Sequence, residues 1–161
     1  MPTEQELRLH RCCFTGHRPE KLNKSEAEVK KALELAIQQA IRDGYTTFIS
    51  GMARGVDIWA AQIVLKERSK NNRIHLIAAP PYEGFESRWS KSWQDQYNFI
   101  LQYADLTRFI CKGYSMASFQ IRNEWMVDHS NRVIAAYNGE AGGTRNTIEY
   151  AKKKEVECLI I

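Results

Sequence analysis

Three loops of this sequence combine glycine with residues suited to anions, and each follows an apolar run. They are Thr15–Arg18 (TGHR), Ser50–Asp57 (SGMARGVD) and Gly139–Thr144 (GEAGGT). Glycine lets the backbone approach a ligand closely, while histidine and arginine supply donors for phosphate or carboxylate. Where such a loop opens a helix, the free backbone amides favour an anion further. These residues therefore predict the binding of a phosphate-bearing ligand.

Three side chains outside the glycines extend this candidate site. Arg122 and Asn123 lie soon after the fourth predicted strand and thus near the same sheet edge. Asp57 lies in the first turn of a predicted helix, where it could cap free amides or accept hydrogen bonds from ribose hydroxyls. The capping role is the favoured interpretation of Asp57.

Four aromatic residues recur at a spacing of four along the third predicted helix, namely Phe85, Trp89, Trp93 and Tyr97. Such a stripe usually packs in the core or at a subunit interface. Stacking on a nucleotide base is the alternative for one residue at the helix start, and Trp89 is the best placed. The full set of predicted ligand-binding residues is Thr15, Gly16, His17, Arg18, Ser50, Gly51, Met52, Arg54, Gly55, Asp57, Trp89, Asn123, Gly142, Gly143 and Thr144.

Apolar runs alternate with amphipathic helical patterns along the whole chain. The alternation predicts βαβ units, and hence an α/β fold with a Rossmann-like, mainly parallel sheet flanked by helices. One domain spans 1–161, with 1–10 as a polar N-terminal extension. Ligands of such sheets bind at the carboxyl ends of the strands, which would bring the three loops together. The predicted strands are 11–15, 46–50, 73–79, 106–111, 131–137 and 157–161.

The predicted helices begin at recognisable signals. Ser25 and Glu28 form a capping-box pattern, and Gly44 follows the end of that helix. Thr144 is the expected N-cap of the last helix. Between them the patterns predict a helix after Gly55 and helices over 86–104 and 117–129.

Composition limits the classes of protein that the chain can belong to. Its 161 residues, 43% hydrophobic and 26% charged, are typical of one globular domain. No apolar run reaches the roughly 20 residues of a membrane span, and the N-terminus has no signal-peptide core, so we expect a cytoplasmic protein without membrane contact. The four cysteines match no zinc or redox spacing, and we expect neither a metal nor a cofactor.

Five segments in the same order resemble the YpsA-like branch of the SLOG superfamily, common in Firmicutes and their phages. They are FTGHRP at 14–19, GMARGVDIWAAQ at 51–62, PPYEGFESRW at 80–89, IRNEWMVDHS at 121–130 and GGTRNTIEYA at 142–151. The resemblance runs from about Arg11 to Ile161. It implies a Rossmann-like fold that binds nucleotides or nucleotide-derived ligands, and a homodimer or higher homo-oligomer.

The superfamily includes the LOG phosphoribohydrolases, which cleave the base from nucleoside monophosphates, and the DNA-processing protein DprA. Residues 122–126 (RNEWM) are similar to the LOG motif R-K-x-x-M, and 142–149 (GGTRNTIE) loosely resembles P-G-G-x-G-T-x-x-E. The resemblance implies Arg122 and Glu149 as catalytic residues. Glu149 is one position out of step, which is a rotation of about 100° on a helix, so Glu140 and Asp57 are alternative carboxylates.

Two functions follow from these patterns. The first is binding of a nucleotide or nucleotide-derived anion at the carboxyl ends of the strands, as a sensor, sponge or regulator. The alternative is an N-glycosidase or phosphoribohydrolase acting on nucleoside monophosphates or NAD-type substrates. Single-stranded DNA is the weakest alternative, because the net charge of +4 is small and no basic run is present, and the sequence therefore argues against nucleic acid as a partner.

Overall fold

The predicted alternation of strands and helices folds into one six-stranded parallel sheet. The computed structural model describes all residues, 1–161, as a single α/β domain, which confirms the predicted fold class. The strands are β1 (Arg11–Gly16), β2 (Thr47–Ser50), β3 (His75–Ala78), β4 (Leu106–Thr107), β5 (Arg132–Ala136) and β6 (Glu157–Ile160). The helices are α1 (Glu4–Arg8), α2 (Glu26–Arg42), α3 (Val56–Lys70), α4 (Lys91–Tyr103), α5 (Ser118–Asp128) and α6 (Gly143–Lys153).

The two faces of the sheet bury separate clusters of apolar side chains. Neighbouring residues of β1 point to opposite faces, with Cys12 and Phe14 in the larger cluster and Cys13 in the smaller one. Helices α2, α3 and α4 cover the larger cluster, while α5 and α6 cover the smaller. Both faces of the central strands are therefore buried, as the continuous apolar runs in the sequence require.

The strand order places a topological switch point between β1 and β5. The order is β4-β3-β2-β1-β5-β6, so the chain builds outward from β1 to β4 and then returns to the other side of β1. Strands β1 and β5 pair in parallel from Cys12 with Arg132 to Gly16 with Ala136. The loops after these two strands consequently lead away from each other, and the space between them is where open α/β sheets bind ligands.

Two predicted elements are shorter than the sequence suggested. Strand β4 ends at Thr107, because the following backbone runs beside Pro80 and Pro81, which have no N–H to continue the ladder. Helix α4 begins at Lys91 and not at 86, since the Ser90 hydroxyl accepts a hydrogen bond from the Trp93 amide and caps the helix there.

Other boundaries agree more closely with the sequence. Ser25 is the N-cap of α2, where its hydroxyl accepts a hydrogen bond from the Glu28 amide at 3.2 Å. Gly44 follows the helix with a φ of +99°, a conformation that glycine adopts readily. The predicted polar extension contains the short helix α1, capped by Thr3. None of the helices combines the length and apolarity needed to cross a membrane.

Gly16 fixes how closely the end of β1 approaches the start of α3. A Cβ built on Gly16 would lie 2.5 Å from Cγ2 of Val56, which is buried. A side chain at this position would therefore push α3 away from the strand.

We expect Gly16→Ala to lower the free energy of unfolding by about 1–3 kcal/mol, because it overpacks the contact with Val56. Chemical denaturation measures this loss, and Val56→Ala in the same chain should restore part of it. Gly113→Ala is the matched control, since nothing lies within 4 Å of a Cβ built there. Equal stability of the two glycine variants would show that the contact does not constrain the fold.

Candidate functional site

A cavity of about 530 Å³ opens at the switch point between β1 and β5. It is within the size range of small-molecule sites. The loops after β1, β2 and β5 contribute to its wall, together with the loop before α4 and the first turns of α5. The lining residues are Phe14, Thr15, Gly16, His17, Arg18, Lys21, Ala53, Arg54, Asp57, Phe85, Trp89, Phe119, Arg122, Asn123, Ala141, Gly142, Gly143 and Thr144.

Most of the residues predicted to bind a ligand line this one cavity, although they come from five separate segments. Those that the fold brings together are Thr15, Gly16, His17, Arg18, Arg54, Asp57, Trp89, Arg122, Asn123, Gly142, Gly143 and Thr144. Trp89 reaches the cavity from a loop and not from a helix, because α4 starts only after it.

Four predicted residues of the loop after β2, namely Ser50, Gly51, Met52 and Gly55, lie outside the cavity wall. Hydrogen bonds and close contacts within the protein fix their positions. The Ser50 hydroxyl donates to the Asp57 carbonyl at 2.8 Å and accepts from the Met52 amide at 3.2 Å. Gly51 lies under Arg122, and Gly55 has a φ of +91° where a Cβ would lie 2.8 Å from Pro19. Side chains of the loop accept from the amides of Met52 and Ala53, whereas the amides of Arg54 and Gly55 donate to no group of the chain. That this loop presents free amides to an anion therefore stays a prediction.

Glu149 is not part of the cavity. It lies on the exposed face of α6, where its carboxylate is 3.5 Å from the Arg145 guanidinium one turn earlier. On this helix Thr144, Thr147, Ile148 and Ala151 are the buried residues, and Glu149 is turned away from them. The catalytic assignment that the LOG motif implied for Glu149 thus has no support in its position.

The sequence reasoning missed several lining residues. Lys21 follows the Thr15–Arg18 loop in a short 3-10 turn, and Phe119 stands one turn before Arg122 on α5. Phe85 was assigned to helix packing, while Phe14, Ala53 and Ala141 carry no chemical signal of their own. The spacing of Phe119 and Arg122, three residues apart on one helix face, is the one pattern that could have revealed an additional member.

Arg122 and Asp57 form a buried pair of charges at the floor of the cavity. Arg122 is 4% exposed and Asp57 7%. The Arg122 guanidinium donates through Nη1 to the Gly51 carbonyl and through Nε to the Asn123 side chain at 2.8 Å. A Cβ built on Gly51 would lie 2.7 Å from Arg122 Nη1 and 2.9 Å from Asp57 Oδ2, so both charges flank the same point of the backbone.

The two oxygens of Asp57 differ in their surroundings. Oδ2 accepts a hydrogen bond from the Ala53 amide at 3.2 Å, whereas Oδ1 is buried without any partner in the chain. Burial raises the pKa of this carboxyl to about 6, against the opposing effects of Arg122 and the Ala53 amide. The predicted capping role of Asp57 accounts for one of its oxygens and leaves the other unexplained.

His17 is a second buried polar residue of the cavity wall. Its backbone amide donates to the Ala136 carbonyl at 3.2 Å, and its ring stacks on Tyr137 with centroids 5.4 Å apart. Nε2 is buried and has no partner. Burial lowers the pKa of His17 below its ordinary value, so the ring is neutral at pH 7 and can donate or accept according to its tautomer.

The side of the cavity next to β5 presents backbone amides and cations. Gly142, and not Thr144, is the N-cap of α6, and no group of the chain accepts from the amides of Gly143, Thr144 and Arg145. Arg18 and Lys21, which follow the neighbouring strand β1, line the same cavity. Unpaired amides at a helix N-terminus, together with cations in the same cavity, favour an anion.

The opposite side of the cavity is aromatic. The Phe85 ring lies 5.0 Å from that of Trp89 and 5.7 Å from that of Phe119, and all three line the cavity. Tyr97 supports Trp89 from the core with an edge-on contact at 5.5 Å. The stripe predicted on one helix is therefore divided between a cavity wall and core packing.

The fold and this cavity define a Rossmann-like α/β protein with a mixed polar and aromatic cavity at its switch point. A family model described as the YspA SLOG family matches residues 12–158. The chain is 33% identical over 144 residues to the SPbeta prophage-derived protein YoqJ of Bacillus subtilis, covering 81% of this chain and 84% of YoqJ. It is 30% identical over 130 residues to a UPF0398 protein of Halalkalibacterium halodurans, covering 79% and 69%. The chain belongs to the YspA SLOG family, which confirms the resemblance.

The fold is also similar to that of DNA processing protein A from Helicobacter pylori, a structure described for its single-stranded DNA binding mode. The TM-score is 0.69 at 18% identity, with 98% of this chain and 66% of that chain covered. The chain thus spans just under two thirds of that protein, and the similarity is one of fold. This similarity overturns the prediction that nucleic acid is not a partner. That prediction rested on the net charge, which averages over the whole surface and does not report the cations gathered at one cavity.

The raised pKa of Asp57 predicts a specific dependence of stability on pH. The folded state holds the Asp57 proton up to about pH 6, whereas an unfolded aspartate releases it near its ordinary value of 3.8. The contribution of Asp57 to stability is therefore complete below pH 4 and is lost as the pH rises through about 6. Relative to wild type, Asp57→Asn should gain about 3 kcal/mol between pH 4 and pH 7, from a shift of roughly two pKa units.

Urea titrations of both proteins at several pH values measure that difference. Asp95→Asn makes the same chemical change on the exposed surface of α4 and controls for the lost surface charge. A difference between wild type and Asp57→Asn that stays constant from pH 4 to pH 7 would contradict the assignment of a strained, ionised carboxylate at this position.

Proposed function

We propose that the cavity binds one nucleotide unit, with its phosphate beside α6 and its base against the aromatic wall. The observation that carries the proposal is that one cavity is lined by cations and unpaired helix amides from the loops after β1 and β5, and by aromatic rings from the loop after β3 and from α5. A nucleotide has the same division, because a charged phosphate and a flat apolar base are separated by a sugar. A binding protein of this kind would act as a sensor, sponge or regulator.

The phosphate end is supported by groups that have no partner within the chain. The amides of Gly143, Thr144 and Arg145 are unpaired at the start of α6, and the cations Arg18 and Lys21 share the cavity with a single carboxylate, that of Asp57. Arg54 is less available, because it lies 3.8 Å from Glu20. Phosphate oxygens accept hydrogen bonds strongly, and both kinds of donor suit them.

The base end is supported by the geometry of three rings. Phe85, Trp89 and Phe119 meet edge-on or at a tilt, so their exposed faces and edges form a wall and not a closed stack. Stacking of a base on such side chains contributes about 1–3 kcal/mol and tolerates any base. The proposal therefore leaves the identity of the base open while requiring that a base is present.

The nucleotide unit could belong to a free nucleotide or to a single strand of nucleic acid. The shared fold with a single-stranded DNA-binding protein makes the second source a reasonable one to test. The sources share the same chemistry at the cavity and differ in what extends from it. Titration with nucleoside monophosphates, ADP-ribose and NAD on one arm, and a short single-stranded oligonucleotide on the other, distinguishes them.

We expect Arg18→Gln to weaken binding of whichever nucleotide binds by about 10- to 100-fold, since it removes a charge-assisted hydrogen bond worth roughly 1.5–3 kcal/mol. Isothermal titration calorimetry measures the loss. Lys152→Gln, which removes an equal charge from the far end of α6, is the matched control and should bind as wild type does. If no probe on either arm binds at millimolar concentration, the proposal is wrong.

A second candidate function is hydrolysis of the N-glycosidic bond of the bound nucleotide. It is favoured because Asp57 is the sole carboxylate among the residues lining the cavity, and its pKa near 6 suits a general base at neutral pH. The water oxygen would bond to the anomeric carbon and release a proton to Asp57, while the C–N bond breaks with its electron pair going to the base, which takes up a proton from solvent.

Chromatography of the titration mixtures tests this function directly. Release of free base that disappears in Asp57→Asn would establish hydrolysis through this carboxylate. Intact nucleotide after prolonged incubation, together with measurable binding, would leave binding as the function of the cavity.

A further inference from the structure

Asp57 carries an unused hydrogen-bond acceptor in a place where a ligand is expected. Its Oδ1 is buried and unpartnered although the residue lines the cavity and is 93% withdrawn from solvent, with 7% exposed. Buried polar atoms in native proteins are almost always hydrogen-bonded, and an exception calls for a specific explanation. A carboxylate oxygen of this kind needs a donor.

The chain itself offers no donor to this oxygen. The Ala53 amide is bound to the other carboxylate oxygen. The neighbouring guanidinium of Arg122 is directed by two of its nitrogens to the Gly51 carbonyl and the Asn123 side chain. A ligand in the cavity can supply this donor, and an ionised phosphate cannot, because its oxygens are acceptors and carry the same charge as the carboxylate.

The position of Asp57 along the sheet edge indicates which part of a nucleotide faces it. The strand order is β3-β2-β1-β5, and each loop follows its strand to the same edge. The loop after β3 carries the aromatic residues Phe85 and Trp89, and the loops after β1 and β5 carry the cations and free amides. Asp57 follows β2 and lies between these two groups. Along the edge, the aromatic residues after β3 are followed by Asp57 and Arg54 after β2 and then by Arg18 and Lys21 after β1. Asp57 therefore has the position that the sugar has between base and phosphate.

We infer that Asp57 accepts a hydrogen bond from a sugar hydroxyl, so that the cavity selects ribonucleotides over their deoxy counterparts. This inference rests on the proposed binding of a nucleotide unit and adds to it the class of sugar. It also assigns Asp57 as a specificity-determining residue, because the hydroxyl is the group by which the two kinds of nucleotide differ. In an oligonucleotide the same contact would favour RNA over DNA.

The test compares ribonucleoside monophosphates with their 2′-deoxy and 3′-deoxy analogues by calorimetric titration of the full chain. Removal of at least one of the two hydroxyls should weaken binding by about 10- to 100-fold, since an ionised acceptor is then left unpaired. Asp57→Asn replaces the charged acceptor with a neutral amide of the same shape and should reduce the ratio between ribo and deoxy forms to less than about threefold.

The test includes two further variants, one as a control and one as a second substitution of Asp57. Asp95→Asn, on the exposed surface of α4, should retain the wild-type ratio. Asp57→Ser, a second variant with a small hydroxyl side chain, keeps the result interpretable if Asp57→Asn folds poorly, and it should also lose the preference.

The outcomes separate the two proposals. Tight binding of ribo and deoxy forms with equal affinity would overturn the inference and leave the nucleotide site standing. A preference for ribose that survives in both Asp57 variants would assign the selection to another residue and overturn the inference as well. Failure of every nucleotide to bind would overturn the proposed function and, with it, the selection of ribose.

Discussion

Arg122 is a buried cation that reaches from one layer of the protein to the other. It belongs to α5, which covers the smaller cluster, and it contacts the Gly51 carbonyl and lies beside Asp57 of α3, which covers the larger one. Taking an ion out of water costs several kcal/mol, so its position requires partners on both sides of the sheet edge. The contacts of Arg122 hold the loop after β2 against α5, and these contacts form the floor of the cavity.

The rest of the cavity is built on this floor. Gly51 must lack a side chain because both charges approach its backbone, and Asn123 extends the contact from Arg122 toward the start of α6, 3.9 Å from a Cβ built on Gly143. The groups left over from this network are the ones that a ligand could use. They are one oxygen of Asp57, Nε2 of His17 and the first amides of α6, none of which has a partner in the chain.

The sequence was sufficient to predict the layers of the fold and the edge at which the cavity lies. A buried strand such as β5 is a continuous apolar run in the sequence, and Ser25 marks the start of α2 because its own side chain caps the helix. Both features depend only on neighbouring residues, and the sequence therefore predicts them. The residue at which β4 ends is not determined by the neighbouring sequence. It depends on Pro80 and Pro81, which are remote in sequence and adjacent only after folding. In the same way Trp89 reaches the cavity because Ser90 caps α4 directly after it.

The chemistry of the candidate site was harder to predict for a related reason. Glycine-rich loops look alike in sequence, yet in the loop after β2 the side chains of Ser50 and Asp57 bind the amides of Met52 and Ala53, while no side chain binds the first amides of α6. Glu149 is the opposite case, because its offset of one residue from the LOG motif already predicts a rotation of about 100° on the helix, and the structure places it at the surface. Side-chain direction decides both cases, and spacing encodes it within a helix but not within a loop.

In the proposed complex a nucleotide unit lies across the cavity with its phosphate at α6 and its base at the aromatic wall. Backbone and indole NMR spectra recorded during titration with each ribonucleoside monophosphate test it most directly, because they report both ends at once. We expect concerted shifts of the amides of Gly143 and Thr144 and of the Trp89 indole, with the Trp59 indole in the core unchanged. Shifts confined to one end, or centred away from the cavity, would contradict it.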